Sequence, residues 1–284
     1  MKMKPRTIAT GFAFPEGPRW HGSLLWFADQ HAKSVYALNS SGQIKEQFTV
    51  PGGPSGMGWL PNGDLLVISM EDRLLLRRNS AGELTIHADL TAVHHSYSND
   101  MVVDRTGRAY AGNVGFNFYI GEAPQPTCIA AIAPDGTVSI AADDLSLPNG
   151  TVITPDGKTL VVAETMGFRL TAFTIGADGE LTDRRLFADL GNRAPDGICL
   201  NADGDIWVAA PWENAVLLVR EGGEIIDQIP IENGSPYACM LGGEDSRDLY
   251  ICCAPDHSHD VTLKLREGRI DVVRVDVRAA QGWP

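Results

Sequence analysis

The sequence predicts an all-β chain folded as a six-bladed β-propeller. Three observations carry that expectation. One unit recurs six times along the 284 residues, about 47 residues apart, within the roughly 40–50 residues of one propeller blade. Inside each unit, short apolar runs alternate with Gly-containing turns, the pattern of antiparallel strands joined by hairpins. No segment shows a convincing amphipathic helix, and Glu71–Arg78 reads as strand.

The units open at Phe14 (FPEGPRW), Gly53 (GPSGMGW), Tyr97 (YSNDMVV), Leu147 (LPNGTVI), Ala194 (APDGICL) and Ser235 (SPYACML). A second run follows a turn such as Asn62-Gly63, Asp156-Gly157 or Asp203-Gly204. Glycine there supplies the positive φ that tight hairpins require. Third and fourth runs complete each unit, as in SVYALNSSGQIKEQF from Ser34. Four strands in each of six units make a propeller. The segments around Thr7–Ala13 and Ile270–Val277 are expected to share one blade and close the ring, leaving no open edge. Residues 1–284 thus read as a single domain. The third unit carries a longer stretch, from Asn113 to Gly136, with Phe116, Phe118 and Tyr119 in it; long loops in compact folds often serve function.

Composition excludes several classes. A formal net charge of −13 opposes nucleic acid and anionic membrane surfaces, which need a positive field. Five Cys without regular spacing form neither a disulfide framework nor a CxxC zinc pair. Nothing resembles a signal peptide or approaches 18 apolar residues, so the expectation is a cytoplasmic protein. There is no GxSxG elbow, P-loop or GxGxxG.

One position repeats in every unit: Glu16, Ser55, Asn99, Asn149, Asp196 and Tyr237, spaced 39, 44, 50, 47 and 41 residues apart. Equivalent positions of a propeller form a ring about its axis, so these six side chains should face one small space. Two carboxylates close together need protons or a cation. Carboxylate and amide oxygens are the donors a hard divalent ion takes. Pro-Asn-Gly and Pro-Asp-Gly are also common turn tripeptides, as at Asn62 and Asp156. Those two follow the first apolar run, whereas Asn149 and Asp196 precede it.

The motifs Phe14-Pro-Glu-Gly-Pro-Arg-Trp, Leu147-Pro-Asn-Gly and Ala194-Pro-Asp-Gly together resemble the senescence-marker-protein/gluconolactonase family of six-bladed propeller metallohydrolases. The resemblance spans essentially the whole chain. It implies one divalent metal held by Glu16, Asn149 and Asp196, with Ca2+ first and Zn2+, Mg2+ or Mn2+ as alternatives. It implies Asn99 as a channel residue near substrate, and hydrolysis of a small lactone or related ester. The chain departs from the family pattern at Tyr97, where sugar-lactone members often carry Arg. With Phe116, Phe118, Tyr119, Trp212 and Tyr237, this points to a more apolar pocket.

The expected chemistry is carbonyl polarisation by the metal, with Asp196 as general base on the attacking water. Tyr97, His95, Asn99, Phe116 and Tyr237 are the expected substrate contacts. Either His94 or His95 could supply an acid, base or hydrogen-bond donor near neutral pH. His257 and His259 are expected on an exposed loop, and Cys239, Cys252 and Cys253 in packing roles. Alternatives are phosphotriester hydrolysis, a lyase or hydratase step at the same metal, or a non-catalytic propeller that binds partners on its faces.

Overall fold

The computed structural model describes residues 4–117 and 120–280. The apolar runs become strands in the expected order. β1 (Arg6–Phe12) opens the chain, and β2 (Pro15–His21), β3 (Leu24–Asp29), β4 (Ser34–Leu38) and β5 (Ile44–Thr49) form the first sheet. β6 (Pro54–Trp59), β7 (Leu65–Ser69), β8 (Leu74–Arg78) and β9 (Leu84–Asp89) form the second. The third holds β10 (Ser98–Val103), β11 (Ala109–Asn113), β12 (Thr127–Ile132) and β13 (Val138–Leu145). The fourth holds β14 (Pro148–Ile153), β15 (Thr159–Glu164), β16 (Arg169–Ile175) and β17 (Leu181–Asp189). The fifth holds β18 (Ile198–Leu200), β19 (Ile206–Ala210), β20 (Ala215–Val219) and β21 (Ile225–Pro230). β22 (Ser235–Gly242), β23 (Asp248–Ala254) and β24 (Gly268–Arg274) complete the sixth with β1 on the outside.

The ring closes as expected: β1 pairs antiparallel with β24, Thr7 opposite Asp271 and Phe12 opposite Gly268. Each innermost strand packs on the next, β2 on β6, β6 on β10, β10 on β14, β14 on β18, β18 on β22, and β22 back on β2. β24 ends at Arg274, three residues short of the expected Val277. One short helix, α1 (His259–Leu265), was not expected. It is two turns long, too short for an apolar period to register. Within Glu71–Arg78, only Leu74–Arg78 is strand. No helix among the described residues is long and apolar enough to cross a membrane.

The core lies between blades. Val161 and Leu170 of the fourth blade pack with Ile206 and Leu217 of the fifth, and Leu66 and Ile68 of the second with Met101 and Ala111 of the third. Each such side chain contributes about 1.5–3 kcal/mol when fully buried. The five cysteines are free and buried.

The glycine after the repeated slot has a structural cause. A Cβ on Gly150 would sit 2.5 Å from the Ile198 nitrogen and 2.6 Å from the Asp196 carbonyl oxygen, and one on Gly56 would sit 2.2 Å from the Met101 nitrogen. Bare backbone there lets adjacent inner strands touch and bond: Gly150 N donates to Asp196 O at 3.3 Å and Gly197 N to Tyr237 O at 2.8 Å. Gly150→Ala must push the fourth and fifth blades apart. It is expected to destabilise the protein by about 1–3 kcal/mol, read as a lowered urea midpoint at unchanged slope. An unchanged midpoint would mean that this contact does not set the blade spacing.

Candidate metal and substrate site

Strand starts and strand-two ends lie on one face of an antiparallel blade, so repeated positions converge at one mouth of the channel. A cavity of about 920 Å3 opens there, with Glu16, Asn99, Asn149, Asp196 and Tyr237 in its wall. Glu16, Asn99 and Asn149 sit at the second position of β2, β10 and β14, not ahead of the strand as the slot reading had it, while Asp196 precedes β18. Ser55 is buried beside them, accepting from Gln30 Nε2 at 3.1 Å and donating to Asn99 Oδ1 at 3.4 Å.

Electrostatics set this wall apart. Glu16 and Asp100 are buried and Asp196 is half-buried, yet among the described residues they face a single buried cation, Arg19. Arg19 Nη2 lies 2.9 Å from Asp100 Oδ1, with both side chains buried. That pairing answers one carboxylate and leaves two. Burial pushes the Glu16 carboxyl well above its usual range, and the negative fields of Asp196 and Asp100 push it further, against a hydrogen bond from Gly17 N. Burial likewise raises Asp196 to about 8, helped by Asp100 and opposed by hydrogen bonds from Asn149 and Gly197. Two neighbouring carboxyls that repel hold protons or a positive ion.

The donor set fits a hard cation. Glu16 and Asp196 supply carboxylate oxygens, and Asn149 an amide. Its Nδ2 is engaged by Thr165 Oγ1 at 3.2 Å and by Asp196, which leaves Oδ1 as its available donor. No three His, Cys, Asp or Glu side chains gather as a metal cluster among the described residues. Two carboxylates plus an amide is a different and harder set, suited to oxygen-preferring ions that keep water in their remaining positions.

The other expected residues divide. Tyr97, Phe116, Trp212 and Tyr237 line the cavity. Tyr237 packs against Phe14 with ring centroids 4.5 Å apart. Phe118 and Tyr119 lie outside the described residues. His95 is exposed and stands apart from the cavity wall. His94 is fully buried, its Nδ1 2.7 Å from Ser98 Oγ and its pKa driven down to about 4 by burial; it is not part of the cavity wall. His257 lies exposed on the loop before α1, as expected, and also lines the mouth, whereas His259, expected on the same loop, is half-buried and opens α1. Their partner His31 was missed. It stacks on Phe14 at 4.6 Å, holds Thr262 Oγ1 at 2.6 Å and approaches the His259 ring at 5.0 Å. Gln30, Met70, Thr165 and Met166 were also missed. All follow the second strand of a blade, so the repeat itself was the signal: the connection after strand two faces the same mouth as the start of strand one.

A second cavity, of about 630 Å3, lies at the opposite end of the inner strands, against Arg19, Trp20, Ile153, Leu241 and the tail residues Arg278–Ala280. It has neither of the unanswered carboxyls.

Residues 14–255 match the family described as the SMP-30/gluconolactonase/LRE-like region. The regucalcin of Bos taurus is 23% identical over 254 residues, covering 85% of this chain and 83% of its own. The 6-deoxy-6-sulfogluconolactonase of Pseudomonas putida is 25% identical over 246 residues, covering 83% and 81%. Among solved structures, the calcium-binding protein regucalcin of Agrobacterium tumefaciens superposes with a TM-score of 0.82 at 24% identity, covering 100% of this chain and 97% of the other.

Proposed function

The chain belongs to the SMP-30/gluconolactonase/LRE-like family, and from that premise we propose that its single propeller domain is a divalent-metal-dependent lactonase, opening a small lactone at the Glu16–Asn149–Asp196 site. The observation that carries this is the pair of carboxyls, Glu16 buried and Asp196 half-buried, that no ion pair answers among the described residues, set in the wall of a cavity large enough for a substrate. Glu16, Asn149 and Asp196 would hold the ion, with Ca2+ first in view of the calcium-binding relative. A bound ion of this kind supplies Lewis-acid polarisation of the carbonyl and charge stabilisation.

The residues of the chain divide the remaining work. Asp196 has two carboxylate oxygens, so one can serve the ion while the other takes a proton from the attacking water. The same proton then passes to the ring oxygen as the acyl C–O bond breaks, and the product is the open hydroxy acid. The free oxygen of Asp196 is thus the acceptor and then the donor of the one proton, general base and general acid in turn. Asn99 is oriented by Ser55, which donates to its Oδ1. Its Nδ2 is thereby turned to donate to substrate oxygen, where a fixed dipole stabilises charge as it develops. Phe14, Tyr237 and Phe116 enclose the site and reduce its water.

Chelated, then re-metallated protein assayed on a lactone panel tests the reading. Hydrolysis is expected to fall at least ten-fold on chelation and to return with Ca2+. Turnover indifferent to chelator, or no turnover across the panel with any of the four ions, would sink it.

A further inference from the structure

The wall of the cavity is one-sided in charge. Among the described residues, no Lys or Arg lines it, while five carboxyls do: Glu16, Glu71, Asp196, Asp256 and Asp260. Glu71 is answered by Lys33 at 2.9 Å, which stands behind it and outside the wall. Glu16 and Asp196 are the residues assigned to the ion. Asp256 and Asp260 stay at the mouth, on the segment after β23. Of the imidazoles there, His31 is kept uncharged, because burial and its neighbours His259 and His257 push its pKa down to about 4.

Gln30, Asn99, Asn149, Thr165, Ser235 and Ser258 also line the wall, and beside them one side of it is apolar and partly bare. Trp212 is 62% exposed and Met166 is 37% exposed, although both are large apolar side chains. They stand on the 3-10 turns Pro211–Glu213 and Thr165–Gly167, and the ring of Phe168, which follows the second turn, lies 5.7 Å from that of Trp212. Met70, Phe116 and Tyr97 extend the surface. Exposed apolar side chains gathered on a cavity wall mark a surface that something apolar covers. A polyhydroxylated ligand finds few partners along that side, and an anionic one finds no Lys or Arg there among the described residues.

We infer that this site takes an uncharged lactone bearing an aryl or alkyl arm laid against Trp212 and Met166, and that it rejects lactones carrying a carboxylate, sulfonate or phosphate. The inference rests on the lactonase reading for the reaction but not for the charge and shape of the wall. Charge selection here comes from what the wall lacks. A positive side chain is the usual means of holding a carboxylate or phosphate, and every ionisable group of the wall other than imidazole is acidic.

Binding and turnover are measured separately, on Ca2+-loaded protein at pH 8. For binding, the non-hydrolysable lactams 5-oxopyrrolidine-2-carboxamide and 5-oxopyrrolidine-2-carboxylate differ in one charge and little else, and 5-phenyl-2-pyrrolidinone against 2-pyrrolidinone adds the arm. Calorimetry is expected to show at least a ten-fold tighter Kd for the amide than for the acid, and at least ten-fold for the phenyl compound over the parent. The corresponding γ-lactones should show the same order in kcat/KM. Trp212→Ala, at an exposed position, should cut the phenyl-to-parent ratio at least five-fold, and Tyr97→Arg should raise the acid-to-amide ratio. A lactam acid that binds as tightly as its amide, or a phenyl arm that adds nothing, overturns the inference whatever the turnover. Lactams bound in the expected order with no lactone hydrolysed would instead leave the preference of the wall standing and remove the lactonase reading.

Discussion

Glu16→Gln is expected to lower lactone turnover roughly a thousand-fold at limiting Ca2+, the scale on which removal of one preorganised electrostatic group acts, while the metal-free variant melts at a higher temperature than the metal-free parent. The two halves come from one cause. Glu16 is buried and Asp196 half-buried; Asp196 and Asp100 raise the proton affinity of Glu16, and Asp100 raises that of Asp196. Gln keeps the shape of Glu and removes its charge, so the metal-free channel is relieved of a repulsion, whereas the ion loses a donor. Gln can still accept the Gly17 N–H bond that Glu16 Oε2 now accepts at 2.6 Å, which argues against misfolding. Asp196→Asn shares the stability gain but differs in rescue. High Ca2+ should recover part of the Glu16→Gln activity by mass action. It should not recover Asp196→Asn, where the proton acceptor itself is gone. The measurements are initial rates across a Ca2+ titration and melting curves in chelator for both variants. A metal-free Glu16→Gln protein less stable than the parent, or Asp196→Asn activity that returns with Ca2+, refutes the assignment of roles.

The architecture was legible because a propeller is periodic. The six openings, the hairpin glycines and the meeting of the two ends all appeared as spacing, and the strands follow that spacing. The ring of slot residues was legible for the same reason, since equivalent positions in equivalent blades must face one axis. Arg19 was not. It lies three residues beyond Glu16, but its partner Asp100 is 81 positions away, and nothing local marks a residue that pairs across the channel. Without that pair the excess of carboxyls cannot be counted. His31 was hidden differently. It ends no motif, and its importance arises from α1, which lies more than 200 residues later and brings Thr262 against its ring. His94 illustrates the converse. A histidine pair ahead of the third slot suggested the mouth, but the turn after β9 buries His94 against Ser98 and leaves His95 facing outward.

The stability given by Ca2+ is expected to grow as pH rises from 7 to 9. A carboxyl whose pKa is raised on folding keeps a proton that the unfolded chain has released. Its contribution is therefore lost as pH climbs from the unfolded value toward the folded one. For Asp196 that window runs from 3.8 to about 8, and its upper edge falls within the chosen range. The penalty from pH 7 to 9 is about 1.4 kcal/mol for one such proton, or about 3–5 °C in Tm for a chain of this size. Two other sets of groups titrate nearby. His31 and His94 are both driven down to about 4; they withdraw stability only as pH falls below the ordinary imidazole value, so the range avoids them. Cys128, Cys239, Cys252 and Cys253 have thiol pKa values raised by burial, and they withdraw stability as pH rises, with or without the ion. Apart from Cys252, whose thiol also feels the charge of Glu16, they cancel in the difference between Ca2+ and chelator. A bound cation takes over the neutralising part of the proton, so the loaded protein escapes the carboxyl penalty while the chelated one bears it. The Tm difference between Ca2+ and chelator should thus widen by several degrees between pH 7 and pH 9, and the widening should shrink in Glu16→Gln. A constant difference over that range would show that the two carboxyls do not share an ion.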